Sequence, residues 1–192
     1  MLERQDLLTL EEYADKRSSI RQETIQVKKL REVHLGSHIR MIFENKQTVQ
    51  YQIQEMLRIE KIFESSEIQE ELDVYNALVP NGSNLKATMM IEYPDVAERV
   101  EALSRLIGVE KSIYFQVDGH DKVFPICNED LERETDVKTS AVHFMRFEFD
   151  QNMIADFVSG SDVKVGSAHP NYNYETSLDS QSQEALSEDF NS

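Results

Sequence analysis

The segment from Gln47 to Phe63 constrains the fold more than any other part of this sequence. Its apolar residues cover more than half of the circumference of a helix, which leaves only a narrow face for solvent. They are Val49, Ile53, Met56, Leu57, Ile59, Ile62 and Phe63. The pattern therefore predicts a largely buried helix at the centre of the protein.

A long amphipathic helix is predicted over residues 10–31. Thr9 and Glu12 have the spacing of a capping box, and apolar residues then recur at helical intervals without Gly or Pro. The same reasoning predicts three shorter helices, at residues 66–78, 95–107 and 151–158.

Alternation of apolar and polar residues predicts the strands. They are expected at residues 33–44 with a break near Gly36, 85–93, 113–117, 123–127, 140–149 and 162–166. The Asp118-Gly119 pair is typical of a tight hairpin turn between two of them. Helices and strands interleave irregularly, so we expect an α+β fold: a mixed, mostly antiparallel sheet with the long N-terminal helix and a central helical pair packed on it.

The length of 192 residues suits one domain, which we place at residues 1–175. No Lys or Arg follows Lys164, and residues 176–192 are rich in Ser, Asp, Glu and Gln. Such a composition buries little apolar surface, so it predicts a disordered acidic Ser-rich tail at residues 176–192.

The charge distribution argues against a nucleic-acid partner. Residues 1–61 carry 11 basic and 10 acidic residues, whereas residues 62–192 carry 9 basic and 26 acidic residues. Nucleic-acid binding needs clustered positive charge, and an acidic surface instead favours a basic protein partner. No apolar run is long enough for a membrane span, so we expect a soluble, cytoplasmic protein.

Several catalytic motifs are missing from the sequence. The six glycines are isolated, so there is no glycine-rich phosphate loop, and no Gly-x-Ser-x-Gly elbow occurs. The single cysteine, Cys127, is followed by Asn128, Glu129 and Asp130, and neighbouring carboxylates disfavour a reactive thiolate. We therefore expect a structural thiol and a protein that is not an enzyme.

Two sets of polar residues are candidates for a functional site. His143 and His169, together with Glu55 and with Glu44 or Glu60 as further carboxylates, have the donor types of an iron or manganese site. Polar groups on or beside the central helix are candidates for an interface, because that helix is otherwise largely apolar. They are Glu44, Asn45, Gln50, Gln54, Arg58 and Glu60.

Six ordered motifs carry a resemblance to a known family. They are Phe43-Glu44-Asn45, Thr48 to Met56, Ile68 to Asn76, Asn84 to Thr88, Lys138 to Phe144 and His169-Pro170. Over nearly the whole chain up to about Tyr174, the sequence resembles the bacterial family catalogued as domain of unknown function 3501. The resemblance implies a redox or peroxide-defence context, because family members tend to be encoded beside a rubrerythrin-like protein and an iron–sulfur protein.

Three hypotheses follow. The first is a non-enzymatic accessory protein that binds a protein partner in such a redox system, with a rubrerythrin-like or iron–sulfur protein as the candidate. The second is a non-haem metal-binding protein that uses the histidines and glutamates above. The third is a small-molecule binding module with its pocket between the central helix and the sheet.

Overall fold

The computed structural model describes residues 1–129, 131, 133 and 135–191. Within these residues, helices surround two antiparallel sheets, which confirms the α+β class and the long N-terminal helix. The α-helices are α1 (Leu10–Leu30), α2 (Lys46–Glu60), α3 (Ser65–Asn76), α4 (Val96–Arg105), α5 (Gln151–Ser159) and α6 (Ser180–Ser187). Short 3₁₀ helices cover Arg4–Asp6, Glu110–Ser112 and Glu188–Asn191.

The strands form one sheet of five and one of three. The strands are β1 (Glu32–Leu35), β2 (Ile39–Glu44), β3 (Asn84–Ile91), β4 (Ile113–Val117), β5 (Ile126–Cys127), β6 (Val142–Glu148), β7 (Val163–His169) and β8 (Tyr172–Ser177). The larger sheet has the order β1-β2-β3-β6-β5, and the smaller has the order β4-β7-β8. The break predicted near Gly36 is a turn, because Leu35 pairs with Ile39 and Gly36 has a φ of +64°.

Two apolar clusters hold these elements together. The first lies between the sheets, where the ring of Phe115 from β4 packs edge-on against Phe43 of β2 and Phe147 of β6. The second is helical and includes Ile53 of α2 and Leu72 of α3. The helix predicted at the centre therefore forms a core of its own with α3 and the N-terminal residues, on one side of the larger sheet.

The predicted hairpin around Asp118 and Gly119 is wrong beyond its first bridge. β4 pairs with β7, and only Phe115 forms a bridge with Val123 across the turn. Pro125 follows two residues later and has no N–H to donate, so the ladder cannot continue past it. The chain then pairs Ile126 and Cys127 with β6 instead.

The C-terminal segment is not the mobile tail that its composition predicts. Asp179 caps α6 by accepting a hydrogen bond from the backbone N–H of Ser182 (2.9 Å). Leu186 is fully buried, and the ring of Phe190 packs edge-on against Phe149 and Phe157. A few well-spaced apolar residues dock the segment on the main core, a tertiary effect that composition does not report.

Among the residues described, none of the helices combines the length and the apolar character needed to cross a membrane.

Candidate functional site

His143 lies inside the five-stranded sheet and is fully buried. Its Nδ1 accepts a hydrogen bond from the side-chain amide of Asn128 (3.2 Å), and its Nε2 lies 3.0 Å from both Thr139 Oγ1 and the carbonyl oxygen of Ser140. Asn128 and Thr139 stand near the two ends of the segment that leads from β5 to β6. The imidazole therefore connects the two ends of this segment to the sheet through hydrogen bonds.

His169 is the last residue of β7 and is also buried. Its Nε2 donates to the carbonyl oxygen of Ile107 (3.1 Å), and its Nδ1 accepts from the backbone N–H of Asn171 (3.2 Å). This side chain holds the β7–β8 turn against the residues that follow α4. The strand predicted to end at residue 166 therefore continues to His169, which pairs with Tyr172.

Glu55 joins α2 to α1. Its Oε1 accepts from Tyr13 Oη (2.6 Å) and Arg17 Nε (2.7 Å), and its Oε2 accepts from Arg17 Nη2 (2.8 Å). The hydrogen bonds from Arg17 hold the pKa of the Glu55 carboxyl below its usual value. Both carboxylate oxygens are thus engaged in a structural ion pair.

The structure does not assemble the predicted metal site. His143 lies in the larger sheet, His169 in the smaller sheet and Glu55 in the helical layer. Each side chain forms hydrogen bonds with its own neighbours. Across the described part of the chain, no three His, Cys, Asp or Glu side chains are grouped so as to hold a metal ion. The residue types were suitable, but the topology keeps them apart.

Four of the six interface candidates form hydrogen bonds within the protein. The buried carboxylate of Glu44 accepts from Thr48 (2.6 Å) and Thr88 (2.9 Å), so it is not available to a partner. The other three bind neighbouring backbone: Asn45 caps α2, Gln50 donates to the Asp6 carbonyl, and Gln54 accepts from the Leu8 N–H. Arg58 and Glu60 are exposed.

A cleft of about 220 Å³ opens between the helical pair and the five-stranded sheet. We call it the helix–sheet cleft. Its helical wall consists of Gln52 from α2 and of Val74, Tyr75, Ala77 and Leu78 from the end of α3 and beyond. Ile68 and Leu72 of α3 face the helical core, so the turn at Val74 is left facing the cleft and solvent.

The opposite wall of the cleft comes from the sheet. Strand alternation turns Lys86, Phe144 and Arg146 away from the core between the sheets, and Lys86 pairs with Arg146 across β3 and β6. Ile126 of the edge strand β5 pairs with Arg146 and extends this wall to the rim. Met145 completes it.

The charges of this wall are compensated locally. The Arg146 guanidinium donates to both oxygens of Glu129 (2.7 and 2.8 Å) and to Glu148, and it holds the pKa of Glu129 below its usual range. Lys86 Nζ donates to the carbonyl oxygen of Ala77 (2.6 Å), at the C-terminal end of α3, where a cation is favourable. Burial, reinforced by Arg146, lowers the pKa of Lys86.

This arrangement suits binding. Apolar and aromatic side chains form most of the cleft, and the described residues that line it include neither His nor Cys. The sequence suggested a pocket between the central helix and the sheet but not the residues that line it, because these come from five separate elements. One signal was present: Val74 interrupts the polar face of α3, off the stripe formed by Ile68 and Leu72.

The fold and the cleft together define an α+β protein with two antiparallel sheets and an open cleft between the helical pair and the larger sheet. The chain belongs to the family described as "Protein of unknown function (DUF3501)", whose model matches residues 1–190, and this confirms the resemblance. A crystal structure from Burkholderia pseudomallei K96243, described as a novel protein of unknown function, is similar. It is 46% identical, 98% of each chain is covered, and the TM-score is 0.93. No curated protein matches the chain.

Proposed function

We propose that the protein is a non-enzymatic accessory protein that docks a partner protein at the helix–sheet cleft. One observation carries the proposal: Val74 is 67% exposed and Ile126 is 45% exposed, on opposite rims of a cleft that Phe144 and Tyr75 also line. Exposed apolar side chains around a concave apolar surface are typical of interaction sites. Aromatic residues and Arg, both present here, dominate the energetics of many interfaces.

We place this partner in a redox or peroxide-response system. The support is the family resemblance, which implies an association with a rubrerythrin-like or iron–sulfur protein. The acidic surface of the chain also favours association with a basic protein through electrostatic steering.

Affinity capture from a native extract tests the proposal when it is done with matched variants. Val74→Asp and Ile126→Asp each place a charge on the rim of the cleft, whereas Val100→Asp changes a similarly exposed valine (62%) on α4. We expect the wild type and Val100→Asp to retain the same protein, and both rim variants to lose it. Equal capture by all four proteins would contradict docking at this surface.

A small-molecule ligand is the second candidate, and the partial enclosure of the cleft favours it. A ligand that binds only the native state raises the midpoint of thermal unfolding. This candidate therefore predicts that a metabolite stabilises the purified wild type and Val100→Asp but not Val74→Asp. If no metabolite in a broad panel does so, this candidate is refuted and the protein partner stands.

A further inference from the structure

We infer that the segment docked at the helix–sheet cleft is a basic amphipathic peptide segment of the partner, with apolar residues that enter the cleft and Lys or Arg residues that meet an acidic ridge on α3. This inference rests on the proposed function and names the chemistry of the partner. The acidic ridge consists of Glu67, Glu70 and Glu71.

The ridge lies on the same side of α3 as the rim of the cleft. Glu70 and Glu71 precede Val74 by four and three residues, so they lie one turn before it on neighbouring positions of the helix surface. Glu67 lies a further turn away along the same side. An apolar side chain that contacts Val74 is therefore within one or two helical turns of three carboxylates.

The ion pairs of the described residues do not include Glu67, Glu70 or Glu71. Residues 62–85 contain five acidic residues and neither Lys nor Arg. The pKa of Glu71 is raised by burial and by the charges of Glu60 and Glu70. These carboxylates repel one another, and a cation supplied by a partner removes that repulsion. Glu60, an interface candidate from the sequence, thus belongs to this acidic surface.

The cations of the cleft do not oppose a basic segment. Arg146 is held by Glu129 and Glu148, and Lys86 is directed to the carbonyl oxygen of Ala77. Glu129, on the wall opposite the ridge, is likewise paired with Arg146, so the acidic border is the ridge on α3. The surface therefore presents apolar walls beside one acidic border, which is the complement of a helix with one apolar face and one basic face.

Three synthetic peptides test the inference with the purified full chain. The first places leucines three and four residues apart and fills the other face with lysines. The second replaces every lysine by glutamine, and the third replaces every lysine by glutamate. Binding is measured by calorimetry or by fluorescence anisotropy, at low and at high salt.

Two double variants with equal charge change make the test specific. Glu70→Gln with Glu71→Gln removes two charges from the ridge, and Glu98→Gln with Glu101→Gln removes two charges from α4. We expect the lysine peptide to bind more tightly than the other two peptides, with an affinity that falls as salt rises. The ridge variant should lose about three- to tenfold in affinity, because it loses two solvent-exposed ion pairs with the peptide. The α4 variant should bind like the wild type.

Two results overturn the inference. Equal weakening by the two double variants would show a general attraction to an acidic protein. Equal affinity for the lysine and glutamine peptides would show that charge plays no part. Either result leaves the proposed docking surface intact, because that surface is tested separately by the rim variants in the extract.

Discussion

Arg31 and Asp189 form an ion pair inside the protein, where each side chain is nearly inaccessible to water. Arg31 follows α1, and Asp189 lies in the C-terminal 3₁₀ helix. The guanidinium also donates to the carbonyl oxygens of Phe43 (2.9 Å), Glu44 (3.2 Å) and Ala185 (2.5 Å). The pair therefore fixes the C-terminal segment to the junction of α1 and the larger sheet.

Removal of one member of this pair should destabilise the protein strongly. Asp189→Ala leaves a donor of the buried Arg31 guanidinium without its acceptor, which even a protonated carboxyl still supplies, and such a loss costs about 2 to 3 kcal/mol. Asp179→Ala, which removes only the cap of α6, should cost about 1 kcal/mol. Urea unfolding of the two variants provides the comparison, and similar losses would contradict a special role for the ion pair.

The same carboxyl gives stability a distinctive dependence on pH. Burial raises the pKa of Asp189 to about 6, against the opposing effect of Arg31. The folded protein therefore binds a proton at this carboxyl more tightly than the unfolded chain does. The stability that this proton contributes is fully present below the unfolded pKa of about 3.9, and it is lost as the pH rises through about 6.

We therefore compare the wild type with Asp189→Asn. From pH 7 to pH 5, the free energy of unfolding of the wild type should increase relative to that of the variant by about 1 kcal/mol. Many other carboxylates contribute equally to both proteins, so only the difference between their free energies of unfolding is informative. If the wild-type value minus the variant value decreased towards pH 5, the result would contradict the raised pKa of Asp189.

His143 should be a structural residue. His143→Ala removes its contacts with Asn128 and Thr139 and leaves the buried Thr139 hydroxyl without this partner, which should cost about 2 to 4 kcal/mol. His34→Ala, on a largely exposed histidine, is the control and should change stability by less than about 0.5 kcal/mol. Stabilisation of the wild type but not of His143→Ala by added manganese would support the metal hypothesis instead.

Tyr172 should stabilise the contact between the two sheets. Its hydroxyl accepts from the backbone N–H groups of His38 (2.9 Å) and Ile39 (3.1 Å) and donates to the carbonyl oxygen of Leu35 (2.6 Å). Tyr172→Phe leaves these groups without that partner and should cost about 1 to 3 kcal/mol. Tyr174→Phe, on a ring that is 47% exposed, should cost less. Thermal unfolding of the two variants measures these losses of stability. Equal losses would contradict a role of the Tyr172 hydroxyl in joining the two sheets.

Local signals predicted much of the fold. The capping box at Thr9 begins α1, the apolar positions of α2 form a helical core, and alternation located β3 and β6. These features depend on neighbours close in sequence, so they can be read from the sequence alone. Ile59 and Phe63 are exceptions, and both are exposed. Ile59 lies two residues after the buried Leu57 and so on the opposite side of α2, and Phe63 follows the end of the helix at Glu60.

Long-range contacts account for what the sequence did not predict. The partner of β4 lies about fifty residues away in β7, and β8, which the sequence did not predict, pairs with β7 through a two-residue turn at Pro170 and Asn171. The C-terminal α6 is held by buried partners such as Arg31. The residues of the helix–sheet cleft likewise meet only once the sheet and the helical pair have formed.

Photo-cross-linking in a native extract tests the central claim most directly. A photoreactive residue is placed at position 74, on the rim of the cleft, or at position 100, on α4, and the cross-linked protein is identified by mass spectrometry. We expect one protein to be cross-linked from position 74 and not from position 100, through a segment with lysines or arginines beside apolar residues. Cross-links that are equally frequent from both positions, or absent from position 74, would contradict docking at the helix–sheet cleft.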